Sequence, residues 1–172
     1  SLILDRKFFY WLSKNANEMI NNKNNILLKK AIIKSCKIKS KIISTDEKEK
    51  NLRMILNFGH TFAHGFEGTK KYSKQMNHGE AVLLGITMAC ELAHQKKILP
   101  MGDLMLIKKH YLNLNLNQNF NQKFKKNEIN KIINFMKQDK KNSSEKINLI
   151  LLKKIGKTTK PNTIIINSKE LK

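Results

Sequence analysis

Apolar residues recur at helical spacing through most of the chain. They predict six helices, over residues 4–12, 25–43, 51–66, 79–97, 101–111 and 128–137. Residues 112–127 are mostly polar and predict a mobile connection. Further on, INLILL (147–152) and TIIIN (163–167) are β-branched and apolar, which predicts two short strands or an extended tail. The expected fold is therefore mainly α: a multihelical domain with a small β element near its C-terminus.

One predicted helix carries polar side chains along a single line. In RMILNFGHTFAHGFE (53–67), Arg53, Asn57, His60 and His64 follow one another at intervals of four, three and four residues. On a continuous α-helix this spacing forms one stripe. The other positions are apolar, which predicts a buried helix whose polar stripe faces a cavity. Because buried polar groups need partners, a ligand, a metal or another chain segment is expected to supply them.

Three imidazoles and two carboxylates in this region are candidate metal ligands. His60 and His64 have the i,i+4 spacing by which one helix can offer two imidazoles to a metal. His78 opens the next predicted helix, and Glu67 and Glu80 could complete a zinc-type site. Spacing alone leaves a structural hydrogen-bonding role for these histidines open.

The flanks of the polar segment have their own pattern. The acids of STDEKEKN (44–51) precede the helix predicted over 51–66 and suit the positive end of its dipole. In the helix predicted over 79–97, Gly85, Ala89 and Ala93 recur every four residues. Such a ridge of small residues predicts the close approach of another helix.

Charge and cysteine content narrow the class of protein. The formal charge is +21, yet all but two of the 34 basic residues are lysines, and they are spread along the chain. Nucleic-acid sites usually show clustered arginines or interleaved aromatics, so a solvated lysine surface is predicted instead, with no nucleic-acid partner. No run of eighteen apolar residues occurs, so no membrane partner is expected. Cys36 and Cys90 are predicted to be reduced and buried, as in a cytoplasmic protein.

The polar segment and its continuation resemble a known family. LRMILNFGHTFAHGFE (52–67) followed by NHGEAVLLGITMA (77–89) is similar to the metal-binding region of 3-dehydroquinate synthases, LRxxLNxGHTxGHAxE…HGExVxxGM. SLILDRKFFYWL (1–12), CKIKSKIISTDEKEKNLR (36–53) and QDKKNSSEKINLILLKKIGK (138–157) also resemble segments of that family. Ala63 and Gly65 stand where the family usually has glycine and alanine, an exchange that could shift the helix around His64.

The resemblance implies a role for each matching residue. His60 and His78 would be ligands of a catalytic zinc, for which cobalt can substitute. His64, Asn57, Arg53 and Lys39 would hold the substrate, joined by one or both of Lys140 and Lys141. Glu67 and Glu80 would support ligands or cap helices, and His94 and His110 would be surface or core residues.

The implied reaction converts 3-deoxy-arabino-heptulosonate 7-phosphate to 3-dehydroquinate and phosphate, in the shikimate pathway, with NAD as cofactor. The family's third zinc ligand is a glutamate in a segment expected just before Ser1, and its NAD-binding α/β domain would lie further upstream. The chain is therefore expected to be the C-terminal domain of a longer two-domain enzyme. It is expected to be inactive alone and homodimeric at full length.

Two alternatives stay open at this point. Another sugar-phosphate cyclase, making an inosose or a valiolone-type product, shares the same chemistry. A non-catalytic basic binding domain derived from the fold is the second alternative.

Overall fold

A computed structural model describes residues 1–73, 76–116, 119–138 and 146–171. In these ranges the α-helices are α1 (Arg6–Ile20), α2 (Asn25–Thr45), α3 (His60–Thr69), α4 (His78–Gln95), α5 (Met101–Asn113), α6 (Phe120–Lys123) and α7 (Ile129–Lys137). The 3₁₀-helices are Leu52–Asn57, Lys126–Glu128 and Ser168–Leu171. The strands are β1 (Lys146–Asn148), β2 (Leu152–Lys154), β3 (Lys157–Thr158) and β4 (Ile165–Asn167). The mainly α class with a small β element is confirmed.

Side-chain caps fix the start of the first two helices. The Asp5 carboxylate accepts the Phe8 N–H at 2.7 Å and begins α1, which continues to Ile20, eight residues past the predicted end. Asn24 caps α2 by accepting the N–H groups of the second and third helical residues. The predicted bounds of α2 are correct to within two residues. Of its 21 residues, only Ile42 is buried.

The single helix predicted over 51–66 is wrong. A 3₁₀-helix ends at Asn57, Gly59 takes a left-handed φ of +80°, and α3 begins anew at His60. A Cβ on Gly59 would lie 2.7 Å from Ile86 Cγ1 and 2.8 Å from Ile86 N, while a Cβ on Gly85 would fall on the Gly59 carbonyl oxygen. The backbones of α4 and the Gly59 turn therefore meet directly, which only glycine permits at both positions. Arg53, Asn57, His60 and His64 consequently do not form a continuous α-helical stripe.

The core lies where α3 packs between α4 and α7. The predicted small-residue ridge is confirmed, because Gly85, Ala89 and Ala93 are all buried on α4. On the opposite side of α3, a Cβ on Gly65 would meet Met136 Cγ at 2.8 Å. Small residues thus let α3 approach both of its neighbours closely.

The connection predicted over 112–127 is more ordered than its polar composition indicated. Residues 117 and 118 lie outside the described ranges, but α6 follows them. Phe120 and Phe124 stack at 5.3 Å between centroids, and Phe124 also packs on Phe66 at 5.1 Å. Two aromatic side chains spaced four residues apart therefore tie this segment to the core.

The two predicted strands are present, and a second hairpin lies between them. β1 pairs with β4 antiparallel, with Ile147 opposite Ile166, and β2 pairs with β3. Gly156 turns the second hairpin at a φ of +84°. The buried Asp103 of α5 joins this hairpin to α1. Its carboxylate accepts hydrogen bonds from Nη1 and Nη2 of Arg6, both at 3.0 Å, and from the Ile155 N–H at 2.8 Å.

The two cysteines differ in environment. Cys90 is buried, and desolvation raises the pKa of its thiol to about 12. Cys36 is exposed on α2, so the prediction that it is buried was wrong. Most of α2 is exposed, since Ile42 is its only buried residue, and Cys36 shares that exposure. In the described ranges, no helix is both long enough and apolar enough to cross a bilayer.

Candidate metal- and substrate-binding site

Three histidines converge where α3 and α4 begin. His60 is the first residue of α3, His64 lies one turn later, and His78 is the first residue of α4. The ring centroid of His60 is 5.8 Å from that of His78 and 6.2 Å from that of His64. His64 and His78 are exposed, and His60 is half-buried. The cluster therefore faces an open surface rather than a closed cavity.

Each of two histidines has one ring nitrogen held by an oxygen acceptor. His78 Nδ1 lies 3.0 Å from Glu67 Oε1, and His60 Nδ1 lies 3.3 Å from the Phe58 carbonyl oxygen. A neutral imidazole that donates Nδ1–H to an oxygen keeps Nε2 as its lone-pair nitrogen. Metal-ligating histidines commonly show this arrangement. Nε2 of both His60 and His78 is therefore available for a metal.

The donor set fits part of a zinc-type site. Two imidazoles on one tetrahedral zinc, with Zn–N distances of about 2.1 Å, have ring centroids roughly 5 Å apart. The 5.8 Å between His60 and His78 is close to that value. Within the described ranges, no three metal-binding side chains, the three histidines included, are placed so that they could hold one ion together. The residues present therefore fit a metal that takes at least one further ligand from outside them.

The carboxylates of Glu67 and Glu80 make different contacts. Glu67 orients His78, and its side chain is only 13 % exposed. Glu80 caps α4 in a capping box, where its carboxylate accepts the Asn77 N–H and the Asn77 side chain accepts the Glu80 N–H. The prediction that these residues support ligands or cap helices, rather than bind metal, agrees with both contacts.

Burial affects the protonation of His60. Desolvation lowers the pKa of its imidazole, opposed by the hydrogen bond to Phe58 and reinforced by His64 and His78. The neutral ring, which is the form that binds metal, is thus favoured near pH 7.

Arg53 and Asn57 lie on the 3₁₀-helix that precedes α3 rather than on α3 itself. The Asp46 carboxylate accepts the backbone N–H groups of Lys50, Asn51 and Arg53 and fixes the loop that leads into this helix. Asp46 therefore stabilises the start of the 3₁₀-helix by direct hydrogen bonds. The sequence predicted only a favourable interaction of these acids with a helix dipole. Because three N–H groups point at the carboxylate, the pKa of Asp46 is lowered.

Glu49 was not among the predicted site residues, yet it contacts two of them. Its Oε1 accepts Asn57 Nδ2 at 2.9 Å, and its Oε2 lies 4.0 Å from Arg53 Nε. Arg53 Nη1 also donates to the Glu47 carbonyl oxygen at 2.8 Å. The i,i+4 spacing of Glu49 and Arg53 was the sequence signal that could have indicated the contact.

Of the three predicted lysines, the described ranges include Lys39. Lys39 is exposed on α2 and lines a surface recess of about 480 Å³ together with Cys36 and Glu47. Lys140 and Lys141 lie outside the described residues. His94 Nδ1 donates to the Leu99 carbonyl oxygen at 3.0 Å, and His110 packs edge-on against Phe9, in agreement with the prediction of surface or core positions.

Comparison with known proteins places the chain in a family. Residues 1–142 match the 3-dehydroquinate synthase C-terminal family. The 3-dehydroquinate synthase of Pelagibacter ubique is 49 % identical over 156 residues, covering 91 % of this chain and 42 % of that protein. The enzyme of the same name from a Thermoanaerobacter species is 40 % identical over the same length and coverage.

Solved structures share the fold. A 2-epi-5-epi-valiolone synthase from Streptomyces hygroscopicus subsp. jinggangensis, with NAD⁺ and Zn²⁺ bound, matches 99 % of this chain and 46 % of its own, with a TM-score of 0.75 and 18 % identity. A 2-deoxy-scyllo-inosose synthase complexed with carbaglucose-6-phosphate, NAD⁺ and Co²⁺ matches 77 % of this chain and 37 % of its own, with a TM-score of 0.64 and 23 % identity.

The chain spans less than half the length of the curated relatives that it matches. The family match nonetheless covers most of the chain, including His60, His78, Arg53 and Asn57. The chain belongs to the 3-dehydroquinate synthase C-terminal family.

Proposed function

We propose that this chain is the C-terminal metal- and substrate-binding domain of a 3-dehydroquinate synthase. That enzyme would convert 3-deoxy-arabino-heptulosonate 7-phosphate to 3-dehydroquinate and phosphate. The observation that carries the proposal is the 5.8 Å between the ring centroids of His60 and His78, each of which has Nδ1 within reach of an oxygen acceptor. The 49 % identity to a protein of that name supports the assignment.

His60 and His78 would hold a divalent zinc or cobalt ion through their Nε2 atoms. A metal bound there supplies a Lewis acid that makes a substrate hydroxyl easier to deprotonate. Glu67 and the Phe58 carbonyl fix the two rings, so that little reorganisation is needed when the ion binds. The 63 % exposure of His78 leaves room for a further ligand and for substrate.

The cationic and amide side chains would bind the anionic sugar acid. Arg53 suits a carboxylate or phosphate because its guanidinium presents several donors in one plane. Asn57 and His64 would hold hydroxyl or anionic groups, and Lys39 with Lys140 or Lys141 would add positive charge. Placing several cations near a doubly anionic substrate both orients it and raises its local concentration.

The rest of the enzyme would lie on the same polypeptide. A preceding α/β domain would bind NAD, and a glutamate from the segment before Ser1 would complete the metal site. The relatives are more than twice as long as the part that this chain matches, which leaves room for such a domain. The full-length protein would be a cytoplasmic homodimeric lyase, and residues 1–172 alone would not turn over substrate.

Zinc content and turnover of the full-length protein test this proposal. His60→Ala and His78→Ala should each lower bound zinc at least tenfold and abolish turnover. His94→Gln is the matched control, because His94 lies on the same helix as His78 and its Nδ1 donates to the Leu99 backbone carbonyl. Unchanged zinc in both alanine variants would overturn the ligand assignment.

Product analysis separates the alternatives. The inosose and valiolone cyclases share the fold at 18–23 % identity, whereas the named dehydroquinate synthases reach 49 %, which favours dehydroquinate. A full-length enzyme that forms only an inosose or a valiolone would refute the substrate. The non-catalytic alternative predicts a protein without turnover that binds generic DNA in a salt-sensitive way. Replacing His60 and His78 would leave that binding unchanged.

A further inference from the structure

The carboxylate of Glu49 contacts both polar residues of the 3₁₀-helix at once. Asn57 Nδ2 donates to Oε1 at 2.9 Å, and Arg53 Nε lies 4.0 Å from Oε2. Arg53 and Asn57 are proposed substrate ligands, whereas neither the motif nor its spacing assigned a role to Glu49. A group that fixes two ligands can act on the site without touching the substrate.

The charge of Glu49 decides which way the Asn57 amide faces. An ionised carboxylate accepts hydrogen bonds and cannot donate them, so Asn57 must present its NH₂ group to Glu49. The amide oxygen then lies on the other arm of the carboxamide. Asn57 therefore offers an acceptor, together with its second N–H, on the side away from Glu49. An acceptor in that position suits a hydroxyl donor better than a phosphate or carboxylate oxygen.

The loop that carries Glu49 is held in a costly conformation. Glu49 has a φ of +52°, in the left-handed region, which costs a non-glycine residue roughly 1–2 kcal/mol. Such a conformation persists only where surrounding contacts impose it. Asp46 closes the loop across Glu49, because its carboxylate precedes Glu49 in the chain and accepts three backbone N–H groups that follow it.

We propose that Glu49 is a positioning residue of the substrate site. It turns the Asn57 amide so that the oxygen accepts from a substrate hydroxyl, and it steadies the Arg53 guanidinium for an anionic group. Asn57 thereby selects a hydroxylated carbon chain, while Arg53 selects charge. This inference rests on the proposed function, because it takes Arg53 and Asn57 to be substrate ligands.

Steady-state kinetics of the full-length enzyme with the sugar-phosphate substrate test the inference. Glu49→Ala should raise KM about tenfold or more with kcat within about threefold, the pattern of lost ground-state binding. Glu49→Gln preserves the size of the side chain, but a carboxamide can both donate and accept hydrogen bonds. The Asn57 amide then no longer has a single preferred orientation, and KM should rise by a smaller factor than in Glu49→Ala. Glu47→Gln is the matched control: it removes one charge from the same loop but keeps the backbone carbonyl that Arg53 uses. Its KM should stay within about twofold.

A double-mutant cycle separates positioning from a general loop effect. If Glu49 acts through Asn57, Glu49→Ala in an Asn57→Ala background should raise KM by no more than about threefold beyond Asn57→Ala alone. Zinc content and the unfolding temperature should match the wild type in every Glu49 variant. A merely structural role would lower the unfolding temperature and leave the two substitutions additive.

The outcomes distinguish this inference from the proposed function. If Asn57→Ala raises KM but both Glu49 variants leave it unchanged, the positioning role is overturned and the proposed function stands. Additive effects of the two substitutions also overturn the positioning role. Failure of the wild-type enzyme to turn over the sugar phosphate overturns the proposed function and this inference with it.

Discussion

Removing the Glu67 carboxylate should weaken zinc binding by the full-length protein. Glu67 Oε1 lies 3.0 Å from His78 Nδ1 and is the acceptor that leaves Nε2 of that ring for the metal. The Glu67→Ala change deletes this acceptor and a negative charge beside the site, while the imidazole itself stays in place on α4. The ring then loses its preferred tautomer and orientation, so the metal must impose both.

The structure sets the size of this effect. A hydrogen bond to a charged group contributes about 1.5–3 kcal/mol when well buried. Glu67 is 13 % exposed, but His78 is 63 % exposed, so water competes for its Nδ1 and the low end applies. About 1.4 kcal/mol corresponds to a tenfold weaker zinc affinity, at the lower end of the range for such supporting contacts. Glu67→Gln keeps an oxygen acceptor and should lose less than Glu67→Ala.

Competition with a zinc chelator measures the affinity directly. Glu80→Gln is the control, since Glu80 lies two residues from His78 and carries the same charge but caps the helix through Asn77. Its zinc affinity should equal that of the wild type. Wild-type affinity in Glu67→Ala would show that Glu67 does not support His78 as a metal ligand. Equal losses in Glu67→Ala and Glu80→Gln would refute that role too, because a general charge effect would then explain both.

Three further predictions concern the folding of the full-length protein. Gly85→Ala should cost about 3 kcal/mol of unfolding free energy in urea titrations, because its Cβ meets unyielding backbone, whereas Gly102→Ala, with open space around it, should be neutral or stabilising. Because the pKa of Asp46 is lowered in the folded state, its carboxylate stabilises the fold above the unfolded-state pKa near 3.9, and this stabilisation is lost as pH falls through the lower folded-state pKa. Asp46→Asn should remove that part of the pH dependence, which unfolding experiments between about pH 2 and 6 would measure. Asp103→Asn should cost about 2 kcal/mol in the same titrations, because Arg6 loses its charged partner; wild-type stability would contradict this.

The sequence predicted elements whose signals are local. The apolar spacing and end residues of α2 and α4 place their bounds within about two residues of the observed ones. The break at Gly59 was missed because its cause is not local. A lone glycine is tolerated inside a helix, and only the contact of Gly59 with Gly85 and Ile86 on the next helix imposes the left-handed turn.

The candidate site shows the same division. The motif resemblance separated His60 and His78 from His64, which spacing alone did not, and the ring centroids of His60 and His78 lie 5.8 Å apart. The role of Glu49 was missed, because the loop acids were interpreted through the helix dipole rather than as partners of particular side chains. Three-dimensional placement of the loop by Asp46 brings Glu49 onto Asn57, eight residues away, and no helical period indicates that contact.

A structure of the full-length protein with zinc bound would show whether His60 and His78 hold the metal together. The expected result is Nε2 of both His60 and His78 at about 2.0–2.1 Å from the metal, with their Nδ1 atoms still on Phe58 and Glu67. A zinc ion held by His60 and His64 on one helix, or bound away from His60 and His78, would contradict the assignment of His60 and His78 as joint ligands.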